Sequence, residues 1–330
     1  MFFQAARRGD NAFFKYVLTI VAVVGAMMLG QLPLTIAVGM ALARGSFSDA
    51  EANELLRSLD FAGLGIDQNV ALALMLLSFV VALGALYLCV VYLHRKRFAD
   101  VLTGRGSLDW GRIRFAFVFW LALTAAFELA AYLLDPGNYT YQLELAAFLP
   151  LLLIALLLLP LQTSFEEALL RGYLLQGLGL ALRNRWLPLL LTSAVFALLH
   201  FANPEVGEFG FGLMMAYYLG FGLMMGICTL MDEGTELALG LHAATNIYGA
   251  TMVSFAGSAL QTPAVFRLQE LNAELMLGVA FSAALIFLAV AARKYQWQDW
   301  GKLWRPIELE EQLALGVEEK GVGEEKGELT

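Results

Sequence analysis

The sequence predicts an all-α polytopic membrane protein, a bundle of about eight transmembrane helices, on three observations. Hydrophobic residues make up 59% of the 330 and mean hydropathy is +0.68, well above the roughly 45–50% apolar share of soluble domains. Long apolar runs recur along almost the whole chain, and basic residues gather in alternate loops. A chain of this length could fill two soluble domains, but a membrane bundle spends about 20 apolar residues on each crossing. Residues 1–306 therefore read as one membrane-embedded domain.

In chain order, the apolar runs fall at 17–43, 69–93, 113–134, 145–161, 188–202, 209–231, 238–256 and 273–292. Each is counted as a crossing by length and hydropathy. The first is too long for a signal-peptide core and lacks a small-residue cleavage site, so it is expected to stay in the mature protein. Pro150 and Pro160 interrupt the fourth run, and a bend at Pro160 is expected to open backbone toward a wet cavity. A glycine-rich stretch at 210–226, in which "FGLMM" occurs twice, is expected to pack closely inside the bundle.

The loops support this count. Arg7, Arg8 and Lys15 precede the first run, "HRKRF" with Arg105, Arg112 and Arg114 follows the second, and Arg171, Arg183 and Arg185 follow the fourth. Arg293, Lys294, Lys302 and Arg305 follow the last, whereas 44–68 and 135–144 are poor in basic residues. This alternation predicts an integral protein of the cell (plasma) membrane with both termini in the cytoplasm. "YQWQDWGKLW" at 295–304 reads as an interfacial aromatic belt, and 307–330 as a disordered acidic tail. The last 23 residues hold eight Glu against two Lys, so −6 of the formal −8 lies there and −2 remains for the body. Nothing in that balance points to nucleic acid. Cys89 and Cys228 both lie in apolar runs and read as packing residues rather than a disulfide framework.

Ionisable groups at bilayer depth are costly unless paired or wetted, so each marks a candidate site. Of three histidines, His94 lies in a basic loop and reads as a bystander, while His200 and His242 lie in apolar runs. Residues four apart share a helix face. "SFEEALLRG" pairs Glu167 with Arg171, "FALLH" pairs Phe196 with His200, and "HAATN" pairs His242 with Asn246. Glu166, about 100° round the helix from Glu167, is left unpaired and suited to general-base work. Plainer readings exist: a helix-surface ion pair for Glu167 and Arg171, and interhelical hydrogen bonding for the histidines. Their co-occurrence on three apolar helices favours one shared polar site. Glu128 is a further acid within an apolar run, expected either to line that site or to pair structurally.

In order, these motifs resemble those of the CPBP family, the CAAX-processing and bacteriocin-processing intramembrane endopeptidases also called Abi proteins. The match is EExxxR in "EEALLR", FxxxH in "FALLH" and HxxxN in "HAATN", within residues 145–256. The resemblance implies an eight-helix bundle with a cavity open to the cytosol. It also implies that Glu166 and His200 activate a water against a peptide carbonyl, that His242 and Asn246 stabilise the oxyanion, and that Glu167 and Arg171 shape the site, with Phe196 in support. Partners implied are membrane lipid and a peptide or protein substrate, either prenylated or leader-bearing. The family is often labelled metalloprotease, so the cofactor is either none or one zinc ion on Glu166, His200 and His242; the HExxH spacing is absent. Two other functions compete: a non-catalytic membrane immunity or scaffold protein, and a proton-coupled transporter using Glu128 and Glu166.

Overall fold

A computed structural model describes residues 2–308; most of the acidic tail, from 309 onward, lies outside the described residues. Eight long helices fall on the eight apolar runs: α1 (Phe13–Arg44), α2 (Gln68–Leu88), α3 (Trp110–Leu134), α4 (Leu145–Glu167), α5 (Trp186–Leu199), α6 (Phe211–Asp232), α7 (Glu236–Thr251) and α8 (Ala273–Lys294). Six are long and apolar enough to cross a membrane, counting the continuations of α2 to Leu93 and of α4 to Leu182. The other two are shorter, α5 at 14 residues and α7 at 16. The expected eight crossings therefore divide into six full-length spans and two short helices. For α7 the reason is burial. Of its 16 residues, 13 are buried, so protein rather than lipid surrounds it and its length need not match the hydrocarbon thickness.

The fourth helix departs from expectation. It runs unbroken through Pro150 and Pro160 to Glu167, passes into a π turn at Ala168–Leu174, and resumes as α-helix from Leu175 to Leu182. The break in regular geometry thus comes directly after the two glutamates and not at Pro160. Neighbouring helices make proline tolerable in such a segment, while π turns recur where helices carry function.

Helix α1 packs on α2, α2 on α4, and α4 on α7; α7 also meets α3 and α6, and α6 meets α5 and α8. Small residues permit these approaches. A Cβ on Gly240 of α7 would lie 2.2 Å from the Ile113 carbonyl oxygen of α3, and one on Gly222 of α6 would lie 3.1 Å from Ser193 Cα of α5. The glycine-rich stretch of α6 therefore serves packing inside the bundle. Cys228 is buried in the core and Cys89 is half-buried; both are free thiols.

The N-terminal segment and residues 297–307 share one end of the bundle, as an even number of crossings requires. The Phe2 amide donates to Glu233 Oε2 at 2.8 Å, and Lys302 Nζ to Glu233 Oε1 at 3.0 Å. Ile307 is buried there, its amide donating to the Arg183 carbonyl at 2.9 Å. The aromatic belt is mixed. Trp304 stands exposed against Trp186, but Trp297 is buried and donates to Asp232 Oδ1 at 3.2 Å. Asp232 also receives Arg105 and Arg112, and Asp100 receives Arg8 and Arg97.

His94, read as a bystander to the candidate site, has a structural role. It is fully buried, with Nδ1 2.8 Å from the Asp10 carbonyl and Nε2 2.7 Å from the Tyr173 hydroxyl. A carbonyl only accepts, so Nδ1 carries the proton and Nε2 accepts from Tyr173. The ring ties the N-terminal segment to the continuation of α4. Beside it Lys96 donates to the Ala6 carbonyl at 2.7 Å and to Asn11 Oδ1 at 2.5 Å, and burial pushes its ammonium down to about 8.

The opposite end carries three short strands, a feature the all-helical expectation does not include. They are β1 (Tyr139–Tyr141), β2 (Val253–Phe255) and β3 (Phe266–Leu268), in the order β1-β3-β2, with β1 antiparallel and β2 parallel to β3. Glu128 reaches this end: its Oε1 accepts from the Tyr139 hydroxyl at 2.6 Å. Of the two expectations for Glu128, the structural pair is the one observed.

Candidate active site

Helices α4 and α7 lie side by side at the centre, so Glu166 and Glu167 meet His242 and Asn246 across one interface. Glu167 is fully buried and its Oε1 accepts twice, from Arg171 Nη1 at 2.9 Å and from His242 Nδ1 at 2.7 Å. Arg171 is equally buried. Its guanidinium carbon sits 4.4 Å above the Phe196 ring, and Nη2 reaches the Gly222 carbonyl at 3.4 Å. The expected Glu167–Arg171 pair is therefore present, as a buried ion pair closed by an imidazole and an aromatic face, not as a surface contact. Because the Glu167 carboxylate only accepts, His242 Nδ1 must carry a proton.

Glu166 points elsewhere, as adjacent helical residues do. Its Oε1 accepts from Gln162 Nε2 at 2.5 Å. Its Oε2 has no hydrogen-bond partner among the described residues and lies 3.8 Å from His242 Nε2. Asn246, one turn beyond His242, donates through Nδ2 to Gln162 Oε1 at 2.9 Å. The sequence reading left Glu166 unpaired; one of its oxygens is held and the other is free.

His200 caps α5 at the point where the chain leaves the helix. Its Nδ1 is 2.7 Å from the Phe196 carbonyl, so that nitrogen donates and Nε2 is left with its lone pair. The imidazole stacks on Tyr218 of α6 at 4.4 Å, and Tyr218 in turn accepts from Asn203 Nδ2 at 3.1 Å. Phe196 joins the two halves of the site. Its ring centre lies 4.5 Å from that of His200 and 5.9 Å from that of His242, with Arg171 over its face. The FxxxH spacing thus places an aromatic platform under both histidines.

All seven residues singled out by spacing, Glu166, Glu167, Arg171, Phe196, His200, His242 and Asn246, are linked by these contacts. Gln162, Tyr218 and Asn203 belong to the same cluster and carry no motif. For Gln162 a signal did exist, since it stands four residues before Glu166 on the same helix face. Glu166, Glu167 and His242 are buried, whereas His200 and Asn246 are half-buried. A cavity of about 250 Å³, bounded by Gln68, Gln142, Glu144, Gln261 and Arg267, lies instead at the strand-bearing end. Among the described residues no group of three or more His, Cys, Asp or Glu side chains is arranged to hold a metal ion. His242 Nδ1 is committed to Glu167 and His200 Nδ1 to a carbonyl, which leaves Nε2 of each histidine uncommitted.

Comparison with known proteins adds two matches. Residues 146–248 match the family described as Type II CAAX prenyl endopeptidase Rce1-like. A Bacillus subtilis (strain 168) protein, described as uncharacterized protein YyaK, is 31% identical over 243 residues, spanning 73% of this chain and 78% of that protein. No solved structure matches the chain.

Proposed function

This chain belongs to the Rce1-like family of type II CAAX prenyl endopeptidases, and from that premise we propose how its buried cluster hydrolyses a peptide bond. The family makes it an integral membrane protease acting on a peptide or protein in a lipid setting. In our reading a water sits between Glu166 Oε2 and His200 Nε2, the two acceptors left free by the hydrogen bonds of their partner atoms. Glu166 takes a proton as the water oxygen attacks the peptide carbonyl carbon. The resulting oxyanion receives hydrogen bonds from the second Asn246 Nδ2–H and, when His242 carries a proton on Nε2, from that N–H as well. The proton on Glu166 then passes to the leaving amine as the C–N bond breaks. Glu167 and Arg171 hold His242 in place and touch no substrate.

The observation that carries this reading is a buried carboxylate oxygen without a partner, 3.8 Å from an imidazole nitrogen. A buried polar atom left unsatisfied costs about 1–3 kcal/mol, a cost that a reactive water offsets. We assign the metal-free glutamate mechanism, because among the described residues no group of three or more His, Cys, Asp or Glu side chains is arranged to hold a metal ion. We place the site's opening on the cytosolic side of the cell membrane, with both termini in the cytosol, on the strength of the basic loops gathered at that end. The proposed substrate carries a lipid tail or a leader sequence.

Two experiments test this. Glu166→Gln and His200→Ala are expected to lower cleavage of a farnesylated CAAX peptide by about 10²–10⁴-fold while each protein still inserts and unfolds cooperatively. Full activity in either variant would sink the mechanism. Comparing membrane peptides from cells with and without the protein identifies the natural substrate. A phenotype that survives Glu166→Gln would instead favour the non-catalytic immunity or scaffold role.

A further inference from the structure

Gln162 belongs to none of the three motifs, yet it hydrogen-bonds both the proposed base and a proposed oxyanion donor. It is buried one turn before Glu166, donates to Glu166 Oε1 at 2.5 Å and accepts from Asn246 Nδ2 at 2.9 Å. Amide chemistry makes this chain directional. An ionised carboxylate can only accept, so Gln162 must turn its NH₂ to Glu166 and its carbonyl oxygen away. That oxygen can only accept, so Asn246 must turn its own NH₂ toward Gln162. The acceptor-only Glu166 Oε1 thereby sets which way the Asn246 amide faces, across two helices.

We infer that Gln162 is a positioning residue that locks Glu166 Oε1 and the Asn246 amide into one polarised hydrogen-bonded chain, leaving Glu166 Oε2 as the atom that receives the proton. The inference rests on the glutamate mechanism proposed above for its catalytic consequence, but the chain itself exists or fails independently of it. Two features fit. With Oε1 occupied, Oε2 is the carboxylate oxygen that has no hydrogen-bond partner among the described residues, and it is the one directed at His242 Nε2. Asn246 spends one N–H on Gln162 and keeps the other for an oxyanion. When Glu166 takes a proton on Oε2, Oε1 becomes a carbonyl oxygen that still only accepts, so the chain keeps its direction through the turnover.

The test has a substrate-free arm and a kinetic arm. In protein labelled with ¹⁵N at asparagine and held in detergent micelles, the Asn246 side-chain resonance is identified by its loss in Asn246→Leu. Glu166→Gln is expected to shift that resonance when Gln162 is present and to leave it unmoved in a Gln162→Met background, where volume is conserved but the chain is cut. A shift of equal size in both backgrounds, or none in either, overturns the chain whatever the protein's activity. On a farnesylated CAAX peptide, Gln162→Met is expected to lower kcat by about ten- to a hundredfold with little change in KM, since only alignment of the base is lost. A kcat equal to wild type overturns the positioning role. Loss of thermal stability with kcat per folded molecule intact does the same, because it marks Gln162 as merely structural. If the wild type leaves this peptide uncut, that failure falls on the substrate proposed above, and the Asn246 resonance decides the present inference alone.

Discussion

Arg171→Met removes one charge from a fully buried ion pair, and its cost can be worked from the geometry. Arg171 and Glu167 have no exposed side-chain surface and stand 2.9 Å apart. At an effective dielectric of about 20 their attraction is about 6 kcal/mol. Desolvating two ions costs several kcal/mol each, so the intact pair contributes little net stability. Deleting one member is different, because Glu167 then stays buried with only His242 as partner. A loss of about 3–5 kcal/mol is expected, and the guanidinium contact over Phe196 is lost with it. Thermal or denaturant unfolding of the purified protein in detergent measures this. The decisive comparison is the double variant Glu167→Gln with Arg171→Met, in which the stranded charge is gone. It should recover most of the stability, because two neutral side chains of similar volume remain. A single variant that loses less than about 1 kcal/mol, or a double variant that recovers nothing, would refute the view that a stranded buried carboxylate dominates the cost.

Gly240→Ala places a methyl 2.2 Å from the Ile113 carbonyl oxygen, and the forced separation of α3 from α7 should cost about 1–3 kcal/mol; unchanged stability in an unfolding titration would contradict that close approach. Burial holds Lys96 at about 8 against an ordinary 10.5, so between those pH values the unfolded chain binds more protons than the folded one. Stability contributed by this group therefore rises with pH through that window. The Tm of the wild type should gain on that of Lys96→Met between pH 8 and pH 10, and a constant difference would count against the assignment. Treatment with a strong zinc chelator should leave peptide cleavage unchanged, whereas inactivation that is reversed by added zinc would replace the glutamate mechanism with a metal one.

Much of the architecture was legible in order along the chain. Hydropathy alone locates all eight helices, because residues facing lipid or a membrane core must be apolar whatever their neighbours. Charge alternation groups the basic loops, and the chain ends do adjoin them at one end of the bundle. The spacing of four in "EEALLR", "FALLH" and "HAATN" is a property of the helix itself, so the Glu167–Arg171 contact and the Phe196–His200 contact could be read before any folding was known.

What hydropathy does not encode is which helices are central. A run of sixteen residues looks the same whether lipid or protein surrounds it, and only packing made α7 the buried axis on which His242 meets Glu167. The π turn after Glu167 was invisible because, unlike proline, nothing in its sequence marks a break in the helix. His94 looked like one more charge in a basic loop until the fold buried it between Asp10 and Tyr173. Gln162 is the sharpest case. By itself the sequence determined the membrane bundle, its family and the residue types of the site, since these depend on composition and on spacing within single helices. Only the tertiary structure decided that Glu167 is shared with His242 and that Gln162 is tied to Asn246, because those partners arrive from a different helix.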